Sequence, residues 1–163
     1  MKKWLDVEGM FAEHEGIALQ KRAVGKVCIE LGSHKGRSTV CLAEVAKHVY
    51  AIDMRLRPEF KENIVGYPIT YYTMLARDAS ELFEPDCADL IFEDTSHVYN
   101  TVKENILLWW DKLRSDGVMC FHDYGYDLYP GVKQVVDEFF GPIDEKNLIG
   151  SLAFVDKAGV SLK

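Results

Sequence analysis

Residues 29–40 read IELGSHKGRSTV. An apolar run closes on an acid, opens into a turn bracketed by Gly32 and Gly36, and resumes with hydroxyl side chains at Ser38 and Thr39. The run at 26–31 is apolar without alternation, as in a strand buried on both faces. Beyond Ser38, apolar residues at 40, 42, 45 and 46 fall on one face of a helix. The stretch therefore reads as strand, glycine-rich turn and helix. Such a unit sets the unpaired N–H groups of a helix start beside a backbone that can approach a ligand closely.

The alternation continues along the chain. VYAID (49–53) is again apolar and ends in an acid, and Pro58 stands near the start of a short helix running to Ile64. ITYYTML (69–75), ADLIFED (88–94) and GVMCFHD (117–123) read as three further strands, the last two closing on acids and a histidine. Between those two, Val98, Val102, Ile106, Trp109 and Leu113 recur at helical spacing, with Ser96 as N-cap and Asp116-Gly117 as the stop. Residues 8–22 are expected to form a leading helix, Pro130 to open another, and 147–156 to form a last strand. Apolar strands alternating with helices predict an α/β domain with a mostly parallel sheet covered on both faces. In such a sheet ligands bind beyond the carboxyl ends of the strands, where this chain has placed its acids and histidines.

Composition narrows the ligand. The chain has 163 residues, the size of one domain with its own core, expected over 1–163. A net charge of −7 disfavours nucleic acid and anionic membranes and favours a small molecule. Cys28, Cys41, Cys87 and Cys120 sit mostly in apolar runs, as buried reduced thiols do. Asp6 and Glu8 interrupt the apolar stretch a signal peptide needs, and no apolar run reaches the roughly 20 residues of a membrane span. A soluble, cytoplasmic protein is expected.

Asp53 lies 21 residues beyond Gly32, where a carboxylate suits the two hydroxyls of a ribose. The turn departs from the dinucleotide fingerprint, because His34 occupies the position of its middle glycine. Four segments, ELGSHKGRST, EDTSHVY, FHDY and PGVKQVVDEFF, occur in order between residues 30 and 140. In these the chain resembles the class I S-adenosylmethionine-dependent methyltransferases, in the branch reading E-x-G-x-x-x-G-x-S-T, D-G-D-H-S-Y and H-D-Y. The resemblance implies a single doubly wound Rossmann-like domain, here shortened at its C-terminal edge. It implies that the methionine part of the cofactor lies against Glu30, Gly32, Ser33, Gly36 and Ser38. Asp53 would take the ribose, Asp78 and Ala79 the adenine, and His97 would contact cofactor or substrate near Asp94. Asp78 read as a helix N-cap, and His97 read as packing in the first helical turn, fit the sequence equally well.

The branch resembles enzymes that methylate hydroxyl groups of small molecules or sugars, some with a divalent metal ion. Asp94, His122 and Asp123 match the catalytic and metal positions. Ser96 replaces the second acid of the D-G-D motif and His122 the first acid of the pair after the fifth strand, which removes anionic ligands from a Mg²⁺ site. His122 is then either a nitrogen ligand to another metal or a general base acting without one, the latter being preferred. Tyr124, Tyr126 and Tyr129 crowd the same rim as candidate substrate contacts. Two other functions fit less of the sequence: a cofactor-binding module that has lost catalysis, and a nicotinamide-dependent oxidoreductase. The acceptor is open, and a homodimer is compatible with so short a chain.

Overall fold

The computed structural model describes residues 1–55 and 57–162. Six α-helices and seven strands follow in order: α1 Glu13–Ala23, β1 Val27–Leu31, α2 Arg37–Ala43, β2 His48–Asp53, α3 Pro58–Asn63, β3 Ile69–Thr73, α4 Ala76–Ala79, β4 Ala88–Glu93, α5 Tyr99–Trp109, β5 Leu113–Phe121, α6 Pro130–Phe140, β6 Leu148–Ile149 and β7 Leu152–Asp156. The sheet order is β3-β2-β1-β4-β5-β7-β6. β1 to β5 are parallel, and β7 runs antiparallel to both β5 and β6. The expected doubly wound α/β domain is thus present. Its strand order reverses between β1 and β4, which opens a crevice beyond their carboxyl ends.

Alternate residues of each strand feed two cores. Ile29, Leu31 and Ile91 pack with Ile106 and Trp109 of α5 and Val135 of α6. Cys28, Leu90 and Phe92 pack on the other face with Leu19 of α1 and Val40 and Leu42 of α2. Both faces of the central strands are dry, which is why their sequences carry no polar alternation. Cys28, Cys41 and Cys120 are buried in this way and Cys87 is half-buried, all four as free thiols. Trp109 and Trp110 are both core residues, and the Trp109 indole donates to the Ala76 carbonyl at 3.2 Å.

Four boundaries differ from the sequence reading, the first being the start of α5, whose N-cap is Val98 and not Ser96. The leading helix starts at Glu13, because residues 5–11 are pinned as a strap by Arg37, which donates to the carbonyls of Leu5, Val7 and Phe11 at 3.3, 2.6 and 2.9 Å. Helix α5 ends at Trp109, and Asp116-Gly117 lies within β5, where the register jump between Ala88/Leu113 and Leu90/Val118 takes up the polar Arg114–Asp116 as a bulge. Leu113 is buried in the strand, so its helical spacing from Trp109 was coincidental. The last strand is a hairpin, broken at Gly150 with φ +63°, and the two-residue β6 is the shortened edge. No helix among the described residues is long and apolar enough to cross a membrane.

Candidate active site

The glycine-rich turn is fixed by its neighbours' backbones. Gly32 has φ +90°, and a Cβ there would sit 2.1 Å from the Asp94 carbonyl oxygen. Its N–H donates to the Ile52 carbonyl and the Asp94 N–H to the Leu31 carbonyl, each at 2.8 Å, so the ends of β1, β2 and β4 meet at this glycine. Gly36, with φ +89°, is the N-cap of α2. Asp53 Oδ2 accepts the N–H groups of Ser33 and His34 at 3.0 and 2.8 Å, and Oδ1 accepts that of Arg55 at 2.8 Å. The acid at the end of β2 therefore shapes the turn. Oδ2 thus has both lone pairs engaged, and Oδ1, with a single donor, keeps capacity for a further one.

Glu30 is fully buried under this turn. Burial pushes its carboxyl up to about 7, against the opposing hydroxyls of Ser38, Thr39 and Ser33. Thr39 donates to its Oε2. Two buried atoms, Glu30 Oε1 and Ser33 Oγ, have no hydrogen-bond partner among the described residues. Partnerless polar atoms beside a turn that admits no side chain fit a polar ligand part seated there. Ser38 is buried at the start of α2 on the same side.

A cleft of about 310 Å³ opens beside the turn, lined among others by Gly32, Asp53, Met74, Arg77, Thr95 and Asn105. This is the reversal point of the sheet. Its far wall rests on Glu93, a buried acid raised to about 7 by burial despite hydrogen bonds from the Thr95 hydroxyl at 2.5 Å and the Asn105 amide at 2.8 Å. Two expected adenine contacts are not in the cleft wall: Asp78 faces solvent beside Arg77 at 3.4 Å, and Ala79 is buried in the core. The short α4 turns Ala76 and Arg77 to the cleft instead. Nor is Asp78 an N-cap, since α4 begins at Ala76.

Beyond β4 and β5 stands a cluster of acids and histidines. His122 Nδ1 lies 3.1 Å from Asp123 Oδ2 and 3.4 Å from Asp94 Oδ1, and its Nε2 lies 3.4 Å from Glu15 Oε2. Burial favours the neutral ring, but the carboxylates of Asp123, Asp94 and Glu15 outweigh it and raise His122 to about 12. Glu15, which burial would raise, is instead held down by His122 and by the N–H and hydroxyl of Ser151. Carboxylates facing both ring nitrogens favour the protonated, doubly donating form of His122.

His97 meets the same Asp123 carboxylate. Its Nε2 lies 2.8 Å from Asp123 Oδ2, and its ring stacks on Tyr129 with centroids 3.6 Å apart. Asp123, raised by burial, is brought below the usual carboxylate range by hydrogen bonds from His122 and the charges of His122 and His97. Asp94, His97 and Asp123 each offer one ligand atom, all within 4.8 Å of one another. Tyr126 is 48% exposed and lies 5.5 Å from Tyr129. Tyr124 is buried, its hydroxyl donating to Asp137 at 2.6 Å and accepting from the Ile143 N–H at 3.2 Å, so it is a core residue and not a substrate contact.

Sequence reasoning missed Glu15, Ser151 and Asn105. Each is a common polar residue inside a helix or turn, and only the fold brings it to the strand ends. Glu93 carried a signal, as the first of the two acids closing ADLIFED.

Against known proteins, the family model described as a methyltransferase domain matches residues 29–124. No curated protein matches the chain by sequence. Among solved structures, a Corynebacterium glutamicum protein is similar at 14% identity over 94% of this chain and 84% of its own, with a TM-score of 0.73. A SAM-dependent O-methyltransferase from Thermotoga maritima is similar at 15% identity over 96% and 69%, with a TM-score of 0.69. An rRNA methylase from Streptococcus thermophilus is similar at 15% over 92% and 99%, with a TM-score of 0.66. At these identities the likeness is one of fold.

Proposed function

The chain belongs to the methyltransferase domain family, and from that premise we propose that it transfers the methyl group of S-adenosylmethionine to a hydroxyl oxygen of a small molecule or sugar. The observation that carries this reading is that Thr95 and Ser96, which line the Gly32–Asp53 cleft, stand in the chain between Asp94 and His97, two members of the Asp94–His97–Asp123 cluster. S-adenosylmethionine supplies an electrophilic methyl when bound. Asp53 and the Glu30–Ser33 pair are acceptors suited to the diol and ammonium that such a cofactor carries, and Met74 and Leu75 offer an apolar wall. Glu30 would repel a pyrophosphate, which argues against a dinucleotide at the same turn. The net charge of −7 argues against an RNA acceptor.

His97 takes the hydroxyl proton. Its Nε2–H donates to Asp123, which leaves Nδ1 as the acceptor, and the Tyr129 ring holds the imidazole flat. With S-adenosylmethionine held in the cleft, His97 Nδ1 would take the proton as the hydroxyl oxygen accepted the methyl group and S-adenosylhomocysteine left. Alignment of nucleophile and methyl supplies most of the acceleration, proton removal roughly 10²–10⁴-fold. A second reading is favoured by the convergence of Asp94, His97 and Asp123: two carboxylates and an imidazole also suit a divalent cation softer than Mg²⁺, which would acidify the bound hydroxyl.

A tritiated-methyl transfer assay over phenols, sugars and aliphatic alcohols tests both. His97→Ala is expected to lower turnover by about 10²-fold or more with cofactor affinity kept, and EDTA to have no effect. Loss of activity in EDTA with recovery on added Mn²⁺ favours the cation. Unchanged turnover in His97→Ala removes His97 from the chemistry under either reading.

A further inference from the structure

The cluster that faces the acceptor is held from behind by a residue of α1, outside the stretch that the family model matches. We propose that Glu15 is a positioning residue for methyl transfer, acting through the His122 ring to keep Asp94 and Asp123 together. The proposal rests on the reading above that these acids serve the reacting hydroxyl.

Glu15 is only 4% exposed and uses both carboxylate oxygens. Oε2 faces His122 Nε2 at 3.4 Å and accepts the Ala12 N–H at 3.2 Å. Oε1 accepts the Ser151 N–H at 2.7 Å and the Ser151 hydroxyl at 2.9 Å. The Ser151 carbonyl in turn accepts the Tyr124 N–H at 2.9 Å, which ties the β6–β7 turn to the loop after β5. Gly150 leaves room for this, since a Cβ there would lie 2.6 Å from Glu15 Oε1. Phe11 of the strap and Phe92 of β4 meet the His122 ring edge-on, with centroids 5.5 and 6.1 Å away. The ring is gripped on its edges by aromatic groups and at both nitrogens by acids.

Burying a carboxylate among four such partners costs desolvation that an apolar side chain would avoid, so stability alone is a poor reason for Glu15. Its geometric effect is specific. With Nε2 claimed by Glu15, Nδ1 points at Asp94 and Asp123, and one N–H holds two like charges from adjacent strand ends. In Glu15→Gln the amide oxygen can still accept from Ser151, but its NH₂ opposes the His122 Nε2–H. The ring must then turn, and the two acids lose their shared donor and separate.

The test is Glu15→Gln in the full chain, read in three ways. A crystal structure is expected to show the His122 ring rotated away from Asp94 and Asp123; a ring left in place overturns the proposal whether or not an acceptor is known. Affinity for S-adenosylhomocysteine, measured by calorimetry, is expected to stay within twofold, while kcat falls by about 10²-fold at unchanged KM for the methyl donor. An unchanged kcat also overturns it. In a His122→Gln background the same substitution is expected to lower kcat no further; full additivity would mean that Glu15 does not act through the ring. If Glu15→Gln does not fold, Ser151→Ala, which removes one hydrogen bond to Glu15, is expected to lower kcat in the same direction by a smaller factor, and no change there counts against the proposal. Failure of the wild type to bind S-adenosylhomocysteine would sink the methyl-transfer reading separately, with the ring rotation still decidable.

Discussion

The two halves of the crevice are built from different materials. At the ends of β1 and β2, backbone does the work: Gly32 sits against the Asp94 carbonyl, and the Asp53 carboxylate gathers the N–H groups of Ser33 and His34 in that turn and of Arg55 in its own. At the ends of β4 and β5, side chains do it: one imidazolium is shared by Glu15, Asp94 and Asp123, and His97 leans on Asp123. A backbone cradle is rigid and serves any acceptor that uses the same methyl donor. A side-chain network can be re-specified residue by residue, which suits the half that must recognise one particular acceptor.

Substitutions on each side should therefore fail differently. The largest effect is expected for Gly32→Ala, where a methyl 2.1 Å from a backbone oxygen meets a φ of +90°. Destabilisation on the order of 4 kcal/mol, seen as a lowered urea midpoint, would carry all function with it. Asp123→Asn comes next. Turnover should fall roughly 10³-fold by loss of the His97 partner, with S-adenosylhomocysteine affinity within twofold by calorimetry; a large loss of affinity would show that the halves are not separable. Asp53→Asn should do the reverse, weakening that affinity by about tenfold, or about 1.4 kcal/mol, with kcat preserved at saturating cofactor.

The smallest effect is on pH dependence. Glu30 has its folded carboxyl raised to about 7 by burial, from an ordinary 4.5. A raised acid contributes stability that is full below about pH 4.5 and is lost as pH rises through about 7. Ligand-free Glu30→Gln should accordingly gain melting temperature relative to wild type across that window and hold the gain above it. A constant difference from pH 4 to 8 would show that Glu30 is charged throughout, like Asp123 in the other half.

The same contrast decides what could be read from sequence. The cradle is local: IELGSHKGRSTV and Asp53 are fixed by strand, turn and helix signals, and the mostly parallel sheet followed from apolar runs alternating with helices. Asp94 and Asp123 were legible because they close strands. The roles of the histidines were not, since both His97 and His122 were candidates, and Glu15, which sets the His122 ring apart from His97, lies 107 residues away from it. Asp78 could not be placed from sequence, because the short α4 turns Ala76 and Arg77 to the cleft and leaves Asp78 beside Arg77 in solvent. Leu113 misled because helix and strand bury it alike.

The central claim is that this crevice holds a methionine-bearing nucleoside and not a dinucleotide. Calorimetric titration of the wild-type chain with S-adenosylhomocysteine and with NAD tests it most directly. Saturable one-site binding of the former, weakened in Asp53→Asn, with no heat from NAD is the result expected. Binding of NAD with none of S-adenosylhomocysteine would contradict it.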